Sequence, residues 1–266
     1  SFPDKMRSVV TGAGSGIGRA LCLELAERGA QILVSDIDEA TAQETAKMVR
    51  ARGATAEVLV ADVRELSEVE GLAARCDELW GGVDFVANNA GVAVSGKVGQ
   101  TPIEDWQWLL SINLMGVIHG RHVFTPRCKK AGRGYILNVA SAAGLISAPE
   151  MGAYNVSKAG VVALSETMSA ELKGSGVHVT VLCPTFFRTN IHTSARGPQD
   201  KAELVQKLMD KSKVQADGVA RAALDCLDQG KLYAVPMRDA RVFWRLTRVA
   251  PSRFAGMAAW VAKRMN

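Results

Sequence analysis

The segment Ser8-Val9-Val10-Thr11-Gly12-Ala13-Gly14-Ser15-Gly16-Ile17-Gly18 constrains the fold more than any other stretch of the chain. Ser8 to Thr11 reads as a short buried strand, and four glycines in seven residues follow at once. Glycine lets the backbone turn tightly and come close to a ligand. Beyond Gly18 the apolar residues Leu21, Leu25 and Ala26 keep helical spacing. A strand that passes through a glycine turn into a helix leaves the first N–H groups of that helix facing outward, which makes a phosphate cradle. The spacing is not the strict Gly-x-Gly-x-x-Gly pattern; it runs Thr11-Gly12-x-x-x-Gly16-x-Gly18. A plain surface turn is the other reading, and the concentration of glycine where strand becomes helix speaks against it.

The same alternation continues along the chain. Gln31–Ser35, Val58–Val60, Val83–Val86, Tyr135–Val139, Val177–Leu182 and Leu232–Val235 read as further strands, with helical stretches between most of them. Glycines at 29, 53, 81, 132, 174 and 230 fall where those helices should stop. Strands alternating with helices imply a parallel sheet covered on both faces. The expected class is therefore α/β, a Rossmann-type doubly wound sheet of about seven parallel strands with helices on both faces. With 266 residues, 48% of them hydrophobic and 22% charged, the chain is long enough for one domain with a large core.

Asp36 ends the second of these strands. In a dinucleotide-binding βαβ unit an acid about 20 residues past the glycine turn hydrogen-bonds the adenosine ribose and repels a 2′-phosphate. Position 15 is serine and position 37 is isoleucine, so neither offers a cation to such a phosphate, and the pattern favours NAD over NADP. Asp36 could instead cap a helix, but Asp38 is better placed to do that ahead of Glu39–Arg50.

Tyr154 and Lys158 form a Tyr-x-x-x-Lys unit, and Ser141 stands thirteen residues before the tyrosine, just past a strand-like run. Residues four apart share a helix face, so the lysine ammonium is expected beside the phenol. A phenol of pKa about 10 needs roughly 4 kcal/mol of help to exchange protons near pH 7, and a fixed cation in a water-poor cleft supplies much of that. Ser141 offers a hydroxyl to orient a substrate oxygen. A Tyr-x-x-x-Lys spacing by itself also arises on ordinary solvated helices; the glycine turn and Asp36 are what give it weight.

Together these residues resemble the short-chain dehydrogenase/reductase family, in its single-domain, NAD-using branch, over Arg7 to about Pro236. Gly12, Ser15, Gly16, Ile17 and Gly18 lie in the counterpart of the family's cofactor motif, and Asp62-Val63 correspond to its adenine-contacting pair. Asn88-Asn89-Ala90-Gly91 match its Asn-Asn-Ala-Gly element, and Asn113, Ser141, Tyr154 and Lys158 match its catalytic tetrad in order and spacing. The resemblance implies NAD as cofactor and hydride transfer between nicotinamide and a secondary alcohol or ketone. In it Tyr154 is the general acid/base, Lys158 lowers the tyrosine pKa and holds the nicotinamide ribose, Ser141 positions the substrate oxygen, and Asn113 holds a water that relays the proton. Each has a structural alternative: Asn113 as the cap of a helix kink, Ser141 as a partner for a backbone group. Pro184-Thr185 departs from the family's Pro-Gly, which puts the shape of that loop in question, while Thr189 still matches the threonine that bonds the carboxamide. An epimerase or dehydratase with retained NAD, and a non-catalytic NAD-binding protein, are the other functions such a chain could serve.

The resemblance also implies a substrate lid at about residues 186–213, where Leu204, Val205, Leu208 and Met209 share an apolar face, with Leu145, Ile146 and Met151 on the pocket's other side. Apolar walls point to a small hydrophobic alcohol or ketone. The expected organisation is a catalytic domain over 1–237 and a basic amphipathic extension over 238–266 belonging to the same domain, in a homodimer or homotetramer. Arg238 to Asn266 hold seven basic residues and one acid, a charge of +6 that leaves about −1 on the rest of the +5 chain. A body without excess positive charge argues against nucleic acid as a partner. In the extension Arg238, Arg241, Arg245 and Arg248 share one helical face, Val242, Leu246 and Val249 another, and Phe254, Met257, Ala258, Val261 and Met265 form a second stripe. Such stripes pack against a neighbouring subunit, roof the active site, or lie as a peripheral contact on an anionic membrane. Five scattered cysteines, none in Cys-x-x-Cys, suit a reduced cytoplasmic protein. His119 and His122 lack a third ligand at a recognisable spacing, so no metal is expected.

Overall fold

The computed structural model describes residues 2–185, 195–197 and 215–249. Thr189, the apolar lid face from Leu204 to Met209, and the second stripe from Phe254 to Met265 lie outside the described residues.

Seven parallel strands form one sheet in the order β3-β2-β1-β4-β5-β6-β7. They are β1 (Arg7–Val10), β2 (Gln31–Val34), β3 (Thr55–Val58), β4 (Phe85–Asn88), β5 (Gly134–Val139), β6 (Val177–Leu182) and β7 (Tyr233–Ala234). Between them run α1 (Gly16–Glu27), α2 (Glu39–Arg50), α3 (Leu66–Trp80), α4 (Ile103–Leu110), α5 (Gly116–Ala131), α6 (Gly152–Glu171) and α7 (Ala216–Asp228), and α8 (Arg238–Val249) follows β7.

Alternate residues of each strand enter different cores, as the period of two in a strand requires. Val10, Ile32, Val34, Phe85 and Leu137 pack with Leu21, Leu25, Val49 and Leu224 under α1, α2 and α7. Val9, Leu33 and Val86 pack with Leu72, Cys76 and Phe124 under α3 and α5, and Ile136 and Val179 continue that side against Met168 of α6. With both faces covered, the central strands are apolar almost throughout.

Asp38 caps α2 as its position suggested, its Oδ1 accepting from the N–H of Ala40 at 2.9 Å and of Thr41 at 3.3 Å. Gly81 and Gly132 end α3 and α5 in the left-handed conformation, with φ of 72° and 67°. The third strand needs correction: it is Thr55–Val58, not Val58–Val60. Its ladder to β2 closes at Val34↔Val58, so Leu59 and Val60 already lie past the sheet, and only Ala56 of this edge strand is buried. Hydrophobicity pointed past the end of a strand whose exposed edge is polar.

The order of connection reverses beside β1. The chain steps outward through β2 to β3, then returns to place β4 on the other side of β1. At such a switch point the two carboxyl ends part and leave a crevice. The glycine turn follows β1 there, and Asn89–Gly91 follows β4. At the opposite end the buried Asp84 carboxylate joins the strand starts, accepting from Arg7 Nη2 at 2.7 Å and Arg133 Nε at 3.0 Å.

Candidate active site

The glycine turn is built against the end of β4. Gly12 and Gly16 have φ of 61° and 52°, a region that disfavours side chains. A Cβ on Gly12 would lie 2.7 Å from Ala90 Cα, and one on Gly18 would lie 2.0 Å from the Gly12 carbonyl oxygen. Asn89 Nδ2 donates to the carbonyls of Thr11 at 2.8 Å and Gly12 at 2.9 Å, while Thr11 Oγ1 accepts from Asn89 N at 3.1 Å. Ser15 sits at the N-cap of α1 in extended conformation without a side-chain cap bond. The opening N–H groups of α1 and the Ser15 hydroxyl are therefore outside the helix's own bonding pattern and suited to an anion.

Asp36 stands next to this turn. Its Oδ2 accepts from Gly14 N at 2.8 Å and its Oδ1 from Asp38 N at 3.1 Å, so the carboxylate braces the loop while retaining lone pairs for a ribose. A cation that the residues at positions 15 and 37 did not disclose is also present: Arg19 Nη2 donates at 2.6 Å both to the Gly14 carbonyl and to Glu44 Oε2. Its pairing with Glu44 offsets its charge. Asp62 is held below the usual carboxylate range by hydrogen bonds from Arg64, and the Val63 carbonyl accepts from His119 Nδ1–H at 2.8 Å.

The four tetrad residues come together at the carboxyl ends of β4 and β5. Asn113 lies in a π-helical turn, Ser111–Met115, between α4 and α5. Its Oδ1 accepts from Val92 N at 2.8 Å and its Nδ2 donates to Val92 O at 2.9 Å, so the side chain ties the helix kink to the strand-end loop. Ser141 Oγ accepts from Ala143 N at 3.1 Å and donates to the Pro184 carbonyl at 3.4 Å. Tyr154 and Lys158 lie in the first turns of α6 and are both buried. Gly91 separates two of these groups: a Cβ there would sit 3.3 Å from Asn113 Oδ1 and 3.5 Å from Lys158 Nζ. Thr185 has no positive φ, so threonine in place of glycine meets no left-handed strain there.

The electrostatics differ from the simple expectation of an ammonium beside a phenol. Burial pushes the Tyr154 phenol above its ordinary value, opposed by the neighbouring Ser141 hydroxyl. Burial also pushes the Lys158 ammonium down to about 8. Lys158 Nζ donates to the Val139 carbonyl at 2.9 Å and lies 5.7 Å from the centre of the tyrosine ring. Desolvation weakens the very charge that was to lower the phenol pKa. Among the described residues nothing brings Tyr154 into the neutral range.

Beside Tyr154 an apolar cluster gathers Val94, Leu109 and Ala153, with Val92, Ala93, Trp106, Ala143 and Met151 packed on it. Of the residues expected on this side, Met151 packs in this cluster while Leu145 packs against the main core; Val92 and Trp106 were not singled out in the sequence. Their only sequence signal is the apolar run that directly follows Asn89-Ala90-Gly91 and the tryptophan in α4. Arg196 closes one side, pairing with Asp105 at 2.9 Å and stacking over Trp108 at 3.9 Å.

The chain belongs to the short-chain dehydrogenase/reductase family: residues 7–200 match the family described as short chain dehydrogenase. It is 36% identical over 97% of its length to probable oxidoreductase EphD of Mycobacterium tuberculosis, and spans only 45% of that protein. It is 32% identical to a CLA biosynthesis dehydrogenase/reductase of Lactiplantibacillus plantarum, over 74% of this chain and 70% of the relative. Among solved structures, a short-chain dehydrogenase/reductase from Burkholderia phymatum in complex with NAD superposes with a TM-score of 0.88 at 32% identity, covering 92% of this chain and 93% of the other.

Proposed function

We propose that the protein is an NAD-dependent oxidoreductase that interconverts a hydrophobic secondary alcohol and its ketone. The observation that carries this reading is the meeting of the Tyr154 phenol and the Ser141 hydroxyl beside buried Lys158, in the crevice that the glycine turn also borders. Bound NAD would supply the hydride acceptor and the positive charge of the oxidised nicotinamide. The residues present fit it: a turn that side chains would fill, an N-cap serine without a cap bond, and an acid at the ribose position. Tyr154 takes the proton from the alcohol oxygen, or returns it to the ketone, while Ser141 fixes that oxygen. Lys158 keeps a cation near the phenol and would hold the nicotinamide ribose. Asn113 holds the Val92 backbone in place and would position the water that relays the proton.

The apolar cluster around Tyr154 supports a hydrophobic substrate. Rates followed by NADH absorbance across secondary alcohols of increasing alkyl length should give rising kcat/KM, by about tenfold for every two methylenes that become buried. A best substrate among polyhydroxylated alcohols, with kcat/KM falling as alkyl length grows, would refute the hydrophobic assignment.

Cofactor choice rests on Asp36. Titration should give clear preference for NADH over NADPH, and Asp36→Ala should narrow that preference by about tenfold, since it removes a charge repulsion of roughly 1.4 kcal/mol. The same change should weaken NADH binding itself, because Asp36 also braces Gly14. Equal affinity of the unmodified protein for both cofactors would show that Asp36 does not select between them.

A further inference from the structure

The hydride chemistry makes no use of α8. This helix packs inward through Ala240, which is buried, with Trp244 and Thr247 half-buried on the same side. The Trp244 ring meets Tyr233 at 4.6 Å between centres. A rotation of about 100° per residue then sets Arg238, Arg241, Arg245 and Arg248 along one flank and Val242, Leu246 and Val249 along the next, with Phe243 beyond them. Val242, Leu246 and Val249 face water, at 50%, 49% and 84% exposed. An apolar strip beside an arginine strip is the pattern of a helix lying at a lipid–water boundary.

A second feature adjoins the first. Between α8 and the edge strand β7 lies a cavity of about 430 Å³ bordered by Lys231, Arg241 and Arg245, and no carboxylate occurs among the described residues that line it. Arg248 is engaged elsewhere, paired with Glu166 at 3.3 Å. Along the sequence the net positive charge is concentrated in residues 238–266, which carry +6 against about −1 for the rest of the chain.

We propose that the outward face of α8 docks the protein on an anionic lipid surface. The strip of Val242, Leu246 and Val249 enters the headgroup region, and Lys231, Arg241 and Arg245 meet lipid phosphates. A second copy of the chain fits this face less well. A twofold contact sets the same patch against itself, so two arginine flanks would be brought together.

Sedimentation with vesicles tests the proposal. The full chain should pellet with vesicles containing phosphatidylglycerol, remain in solution with pure phosphatidylcholine, and be released by salt. Arg241→Glu/Arg245→Glu should weaken binding to the anionic vesicles about a hundredfold or more, at roughly 1 kcal/mol for each unit of charge near the surface. Leu246→Asp should also weaken it. Both sets of side chains are solvent-facing, so melting temperature and size-exclusion elution should stay as in the unmodified protein. Failure of the unmodified chain to bind anionic vesicles, equal binding to neutral ones, or unchanged binding by the arginine variant overturns the proposal. Loss of vesicle binding accompanied by a change in oligomeric state does so too, and assigns the face to a second copy.

Discussion

Tyr154→Phe is expected to lower kcat by about a thousandfold, within the range of general acid–base catalysis, while leaving NADH binding near normal. The substitution removes the one proton that the proposed chemistry transfers and keeps the ring that packs against Val94, Leu109 and Ala153. The hydroxyl stands beside that of Ser141, so its removal should cost at most about 1 kcal/mol of stability. Stopped-flow or steady-state absorbance with any alcohol that the unmodified protein turns over checks the first part, and fluorescence titration with NADH the second. A variant with near-normal kcat would mean that another group handles the proton.

Lys158→Met should act in opposite directions on activity and stability. It removes both the cation under the phenol and the donor assigned to the ribose, so kcat and cofactor affinity should fall together, kcat by a hundredfold or more. Yet the ligand-free protein should become more stable. A buried lysine titrating at about 8 in place of 10.5 opposes folding by roughly 3 kcal/mol while it is charged. Replacing it also leaves the Val139 carbonyl without this donor, which returns about 1–3 kcal/mol of the gain. A net gain of about 1 kcal/mol corresponds to a melting temperature higher by roughly 2–4 °C.

The pH dependence gives a sharper signature of the same group. Because the folded-state pKa is the lower one, the unfolded chain binds the extra proton between about 8 and 10.5. This group's contribution to stability therefore rises with pH across that window and is flat on either side. Melting temperatures of the unmodified protein and Lys158→Met should converge as pH enters it and then cross, the unmodified protein being the more stable above it. Parallel curves would show that Lys158 is not carrying a depressed pKa.

Much of this fold could be read from residues whose roles are local. The Asp38 cap, the left-handed glycines after α3 and α5, and the turn from Gly12 to Gly18 each follow from backbone chemistry that neighbouring residues declare. The edge strand β3 could not be placed so well, because Thr55 and Glu57 face outward and the apolar run Val58–Val60 lies at and past its end. In the site, the residue types of the tetrad carried their own spacing, so Asn113, Ser141, Tyr154 and Lys158 were legible. What they do to one another was not. The descent of the Lys158 pKa depends on how completely α6 and β5 exclude water, and the pairing of Arg19 with Glu44 depends on α1 lying beside α2. Val92 and Trp106 reach the tyrosine through tertiary packing that no short-range pattern encodes.

One buried polar chain bears on the timing of the tyrosine around its helix. Asn88 Nδ2 donates to Asn138 Oδ1 at 2.8 Å, Asn138 Nδ2 donates to Ser165 Oγ at 2.9 Å, and the Ser165 hydroxyl donates to the Val161 carbonyl at 2.7 Å. These bonds cross from β4 through β5 into α6, three turns beyond Tyr154. A helix held only by methyl and methylene contacts can turn on its axis or slide along it with little change in contact area, and a shift of one residue means about 100° of rotation and 1.5 Å of travel. Hydrogen bonds do not permit that exchange, since a displaced amide would be left unpaired in a dry interior. The chain Asn88–Asn138–Ser165 thus works as an indexing pin: it sets the angular phase of α6, and with it the direction in which the phenol and the ammonium point.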